Sequence, residues 1–181
     1  MNFSKDLAAF KEMVAELSDY LLSDAPTWRL SGSSDFPQLS PGSYLLTRAR
    51  LSAAPDQRAE IDSLTQQGGA LLTKWAVTSE KKAAADLRQR VNLWQAYLND
   101  LRESPASTAE RYKSDVTQRV AAALLLSQFP RLSDSPDSKR LPMLDSQLRP
   151  RFRPGPFLWA AELQPAFPPE EFWFLYGNVK G

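Results

Sequence analysis

The chain has 181 residues, 43% hydrophobic and 24% charged, a globular composition with enough length for a core that needs no covalent staples. Its 22 basic and 21 acidic side chains nearly cancel, so no global field draws it to nucleic acid or to an anionic membrane. It contains neither histidine nor cysteine. That removes the commonest neutral-pH general base, the usual nucleophile–base pairs, disulfides and nearly every zinc or iron–sulfur ligand set.

The stretch Met1–Asp6 has no basic segment leading into an apolar run, so no export signal is expected, and the sequon Asn2-Phe3-Ser4 carries no weight. No apolar run approaches the roughly 20 residues that span a bilayer. The expectation is a cytoplasmic protein with no membrane contact. Proline then divides the chain: nine of 14 fall in residues 130–181, and none in 1–25 or 56–104. Long helices belong in the proline-poor part.

The first helix is predicted over Ser4–Ser23, where Phe3, Leu7, Phe10, Val14, Leu17 and Leu21 form one apolar stripe. Glu12 and Glu16 lie on the opposite, solvated face, and without histidine they make no carboxylate-type metal site. A Ser/Pro/Gly-rich loop follows over 25–42, pinned by Trp28 and Phe36. The second helix is predicted from Ser43, with Pro55 kinking it or restarting it as Asp56–Gln67, and Gly68-Gly69 reads as a break.

A helical tract runs from Ala70 to Glu103, with an internal cap at Thr78-Ser79-Glu80 and a stripe of Ala84, Leu87, Val91, Trp94, Leu98 and Leu101. Ser107-Thr108-Ala109-Glu110 reads as a capping box. It opens a helix with Tyr112, Val116, Val120, Ala123, Leu124 and Ser127 on one side. After Pro130 come a short amphipathic piece (Leu141, Leu144, Leu148) and an Arg/Pro segment (149–156). The chain then closes on an aromatic block, in which Pro169-Glu170-Glu171 suits the first turn of a short helix. Eight of the 19 aromatic residues lie in 152–176, too many rings to stay in water, so this segment docks on the helices or on a partner, with Trp173 expected to be largely buried.

The expected architecture is therefore all-α: an antiparallel bundle of four to five main helices over residues 1–130, with a proline/arginine/aromatic-rich segment, 131–181, docked on it. Three features compete for function. Lys139–Arg153 holds five cations against one acid, and Arg149, Arg151 and Arg153 flank Phe152, a combination that holds phosphate and stacks a base. Trp159, Trp173 and Tyr176 are of types that dominate interface energetics. Trp75, Trp94, Tyr97 and Tyr112 could line a pocket between helices, with Trp94 on the seam and Tyr97 at its edge.

No residues pair with catalytic spacing, and no cofactor or metal is expected. The reading is a non-catalytic interaction or scaffold protein that binds a protein partner or itself. The alternatives are a small nucleic-acid-associated subunit using 139–153, and then a histidine-free enzyme.

Overall fold

The structure, a computed structural model, describes residues 3–54 and 56–181. Asn2 of the sequon and the expected kink at Pro55 lie outside the described residues. The fold is mostly helical, in line with the all-α expectation, with a small two-stranded sheet that the sequence reading did not foresee. The chain forms two compact units, one up to Asp86 and one from Leu87 to Gly181. Residue 130 lies inside the second.

In the first unit, α1 (Phe3–Leu22) buries Leu7, Phe10, Val14, Leu17 and Leu21, the stripe read from the sequence. Met13 and Tyr20 widen it. The next helix, α2 (Pro41–Ser52), starts two residues before Ser43. Ser40 is its cap: the Ser40 hydroxyl accepts from the Ser43 amide (3.2 Å) and the Ser43 hydroxyl from the Ser40 amide (2.8 Å). The buried Asp86 carboxylate completes this helix start, accepting from the Ser40 hydroxyl (2.8 Å) and the Gly42 amide (2.6 Å). A carboxylate at a helix N-terminus meets both free amides and the positive end of the helix dipole.

Two local expectations fail here. Gly68 and Gly69 do not break the chain but lie inside α3 (Arg58–Lys74). A β-carbon at Gly68 would sit 2.1 Å from the Tyr44 hydroxyl, so glycine is needed there for close helix approach and not for a turn. The real break is Trp75, with ψ at 40°, after which α4 (Ala76–Glu103) begins. Ser79 is no internal cap, since its hydroxyl donates back to the Leu72 carbonyl (3.2 Å).

The loop before α2 is pinned as expected in kind. Trp28 and Leu39 bridge through their main chains, with N–H···O distances of 2.9 and 2.8 Å. Glu16, expected to be merely solvated, accepts from the Trp28 indole N–H (2.6 Å) and the Ser31 amide (2.8 Å). Desolvation opposes its ionisation, but these hydrogen bonds outweigh it and hold the carboxyl below its ordinary range.

The second unit takes over α4 at Leu87. Val91, Trp94, Leu98 and Leu101 are buried as the stripe predicts, and Ala83 replaces Ala84 in the buried row. The expected capping box at Ser107–Glu110 is absent, because Pro105 starts a short helix of its own, α5 (Pro105–Ala109). The following helix, α6 (Tyr112–Gln128), buries Tyr112, Val116 and Val120, then turns its inner face to Ala121, Ala122 and Leu125 instead of Ala123, Leu124 and Ser127. α7 (Pro136–Leu148), capped by the Ser135 hydroxyl, buries Leu141, Leu144 and Leu148.

The chain after α7 is built on main-chain pairing that the helical reading missed. β1 (Phe152–Phe157) and β2 (Tyr176–Val179) run antiparallel, Phe152 opposite Val179 and Pro154 opposite Gly177. Two prolines fit in β1 because a two-stranded sheet consists only of edges. Gly177 has φ of +152°, and a β-carbon there would lie 2.1 Å from the Arg153 carbonyl oxygen, so this crossing demands glycine. Between the strands, Pro169–Glu171 forms a turn, not the helical start expected, and Trp173–Leu175 is a 3-10 turn.

α6 holds this segment at three points. Tyr112 donates to the Phe174 carbonyl (2.6 Å), the Trp159 indole to the Lys113 carbonyl (3.1 Å), and the Arg119 guanidinium lies 4.6 Å over the Phe174 ring. Arg119 is fixed in turn by a two-pronged bond to Asp145 of α7 (2.9 and 2.8 Å), a geometry specific to arginine and carboxylate. Phe167, Phe172, Phe174 and Leu175 are buried beneath.

Candidate functional site

The turn after α7 begins the site. Leu148 is buried at the helix end, and the amides of Arg151 and Phe152 bond back to the carbonyls of Leu148 (3.0 Å) and Arg149 (3.3 Å), aiming Phe152 inward and leaving Arg149 exposed. Trp173 arrives from the 3-10 turn and meets Phe152 edge to face, 5.2 Å between centroids at 89°. The Arg149 guanidinium lies over the Trp173 ring, 4.3 Å from its centroid.

Tyr176 stands beside them, its hydroxyl donating to the Phe167 carbonyl (2.7 Å) and its ring 5.2 Å from Phe157. Burial first, then the Glu170 carboxylate, raise the Tyr176 phenol above its ordinary range, against a hydrogen bond from Gln164. The result is an open groove of about 520 Å³ lined by Arg149, Phe152, Pro154, Pro169, Trp173 and Tyr176. A second hollow of about 410 Å³ shares the ridge of Pro169 and Tyr176 and continues to Gln164 and Pro165.

Four expected site residues thus meet in one place: Arg149, Phe152, Trp173 and Tyr176. Arg151 and Arg153 are not among the lining residues; Arg153 is exposed, its guanidinium donating to the carbonyls of Phe152 (3.1 Å) and Pro150 (3.4 Å). Trp159 lies apart, against the Phe167 ring at 5.2 Å. Trp173 is half-buried, most of its ring covered and the rest lining the groove. The sequence reading missed Pro154 and Pro169 as walls. Rigid rings of low entropy are suited to that role, and the proline density of the segment was the available signal.

The inter-helix aromatic set is not a pocket. Trp94 and Tyr97 are stacked at 5.3 Å and 13°, Tyr112 lies 6.1 Å from Tyr97, and Tyr97 is only 2% exposed, correcting its expected place at the edge. Trp75 belongs to the other unit, under the Lys74 ammonium at 5.3 Å.

The first unit has a cleft of its own, about 530 Å³, with Val14, Ala15, Leu64 and Leu71 inside and Lys11 and Lys74 at its rim. Lys11 is already paired with Glu60 at 2.8 Å. Among the described residues no three acidic side chains converge as a metal site, and no helix is long and apolar enough to cross a membrane. Compared with known proteins, the chain matches no family model, no curated protein sequence and no solved structure.

Proposed function

We propose that the protein is a non-catalytic interaction protein whose contact surface is the groove around Trp173, carried on an antiparallel helical scaffold. The observation that carries the reading is the half-buried Trp173 and Tyr176 set between Pro154 and Pro169, with a single guanidinium at the Trp173 face. Rigid aromatic and proline surface loses little entropy on contact, and Trp, Tyr and Arg are the types that dominate binding energy.

Single-stranded nucleic acid is the weaker reading. Arg149 already occupies the Trp173 face on which a base would stack, and Glu170 and Glu171 follow directly on the groove wall at Pro169. An enzymatic reading has only the Tyr176 phenol among the groove's lining residues, held in a bond to the Phe167 carbonyl with no side-chain base among the lining residues to activate it.

The test is a photo-crosslinking amino acid placed at Arg153, beside the groove, and separately at Leu93, an exposed position on α4. The reading expects discrete protein adducts from the first position, lost when Trp173→Ala is added, and none from the second. Equal adducts from both positions, or none at Arg153, would overturn it.

A further inference from the structure

We infer that the groove takes a proline-rich segment of a protein partner, held in the polyproline II conformation and carrying an acidic residue where it meets Arg149. The inference rests on reading the groove as a contact surface, and names the chemistry of what that surface contacts.

Shape gives the first argument. The groove of about 520 Å³ and the neighbouring hollow of about 410 Å³ share one ridge, since Pro169 and Tyr176 line both. That ridge is fixed before any partner arrives, because the Tyr176 hydroxyl is bonded to the Phe167 carbonyl (2.7 Å) and its ring rests 5.2 Å from Phe157. A polyproline II chain turns every three residues and advances about 9 Å per turn, so the proline rings along one side can straddle an aromatic ridge.

Hydrogen-bonding capacity gives the second. The exposed Arg149 guanidinium lies over the Trp173 ring and has no hydrogen-bond or ion-pair partner among the described residues. The Trp173 indole N–H likewise has no acceptor among them, and solvent reaches it, whereas the Trp94 indole N–H is sealed in the core. No carboxylate lines either hollow. The surface is therefore rich in free donors and poor in strong acceptors. A polyproline II segment is the complement: its carbonyls are unused by internal bonds and its prolines have no N–H.

Other ways of binding a peptide fit less well. A helical partner keeps its main-chain carbonyls in its own bonds and has none to offer. An added strand needs a row of N–H groups at the sheet edge, and β1 contains Pro154 and Pro156. Since Arg149 covers the Trp173 face, the prolines stack on Tyr176 and Pro169, and Trp173 is met through its N–H. Among the described residues Arg149 is the one charge lining either hollow, and a carboxylate beside the prolines gives its guanidinium a two-pronged partner.

The experiment is fluorescence anisotropy of a labelled peptide, eight prolines followed by two aspartates, titrated with the full chain. One control peptide replaces the aspartates by lysines, and another replaces the prolines by alternating glycine and serine. The proline–aspartate peptide is expected to bind with Kd below about 1 mM, the lysine version about tenfold more weakly, and the glycine–serine version not at all. Arg149→Gln should bring the aspartate and lysine peptides to similar affinity. Trp173→Phe, which keeps a ring and removes the N–H, should weaken both by about three- to tenfold. Arg149 is exposed and phenylalanine preserves the aromatic packing, so circular dichroism suffices to check folding.

No binding of the proline–aspartate peptide up to about 1 mM overturns the inference. So does equal binding of the glycine–serine peptide, or an Arg149→Gln protein that still prefers aspartate to lysine as the wild type does. A Trp173-dependent adduct at Arg153 that excess proline–aspartate peptide fails to diminish would remove this occupant and leave the contact-surface reading standing.

Discussion

Tyr112 of α6 donates its phenolic hydrogen to the main-chain carbonyl of Phe174 across 2.6 Å, and both side chains are fully buried. The bond fixes the 3-10 turn that presents Trp173, so the core and the groove share a support. Tyr112→Phe would leave a buried carbonyl unpaired, at a cost of about 1–3 kcal/mol. Urea denaturation should show a lower midpoint with an unchanged slope; an unchanged midpoint would mean that the bond contributes nothing.

Deleting residues 157–181 removes Leu163, Phe167, Phe172, Phe174 and Leu175 from the core, together with β2. Burying each large side chain is worth roughly 1.5–3 kcal/mol, and a whole domain is stable by only about 5–15 kcal/mol. The truncated protein should therefore lose the cooperative melt of the second unit, or aggregate. Full thermal stability and solubility after truncation would show the segment to be detachable.

The two neighbouring glycines of α3 should respond in opposite ways to alanine. At Gly69 nothing lies within 4 Å of an added β-carbon, so Gly69→Ala should stabilise by about 0.5–1 kcal/mol, the entropic cost of glycine in a helix interior. At Gly68 the same change drives a methyl into the Tyr44 hydroxyl, and the protein should be destabilised. Thermal melts of the two variants check this; a Gly68→Ala protein as stable as Gly69→Ala would contradict the packing.

These glycines also show what the sequence makes legible. The stripes of α1 and of α4 could be read because a 3.6-residue period is local and its apolar face must be covered. Gly68-Gly69 was misread as a stop because its reason, Tyr44, belongs to another helix. The strand Phe152–Phe157 has no alternating pattern; its pairing is imposed by Gly177, which lets the chains cross closely. At the groove, the residue types were visible in the sequence. Their grouping was not, since Arg149 meets Trp173 only through the fold of the intervening segment. The same argument explains why Trp159, of the same type and nearby in sequence, lies elsewhere.

Alkaline pH should unfold the protein in a defined sense. Tyr20, Tyr44, Tyr97, Tyr112 and Tyr176 are all raised above the ordinary phenol value of 10.0, in each case by burial first. Above that value the unfolded chain loses phenolic protons that the folded chain keeps, so stability falls as pH rises past 10.0 and is unaffected by these groups below it. Phenolate absorbance should appear together with loss of helix, in one transition. Ionisation of all five near the ordinary value in a still-folded protein would contradict the burial.

The contact surface itself is tested most directly by fluorine NMR of the full chain labelled with fluorotryptophan, its five signals assigned by single Trp→Phe replacements. Trp173 lies half-buried in the groove, whereas Trp94 is sealed in the core. As the protein captured through the Arg153 crosslink is added, the Trp173 signal should move progressively and that of Trp94 should stay. A Trp173 signal that stays constant on that addition, or movement at Trp94 or Trp75 instead, would contradict the account.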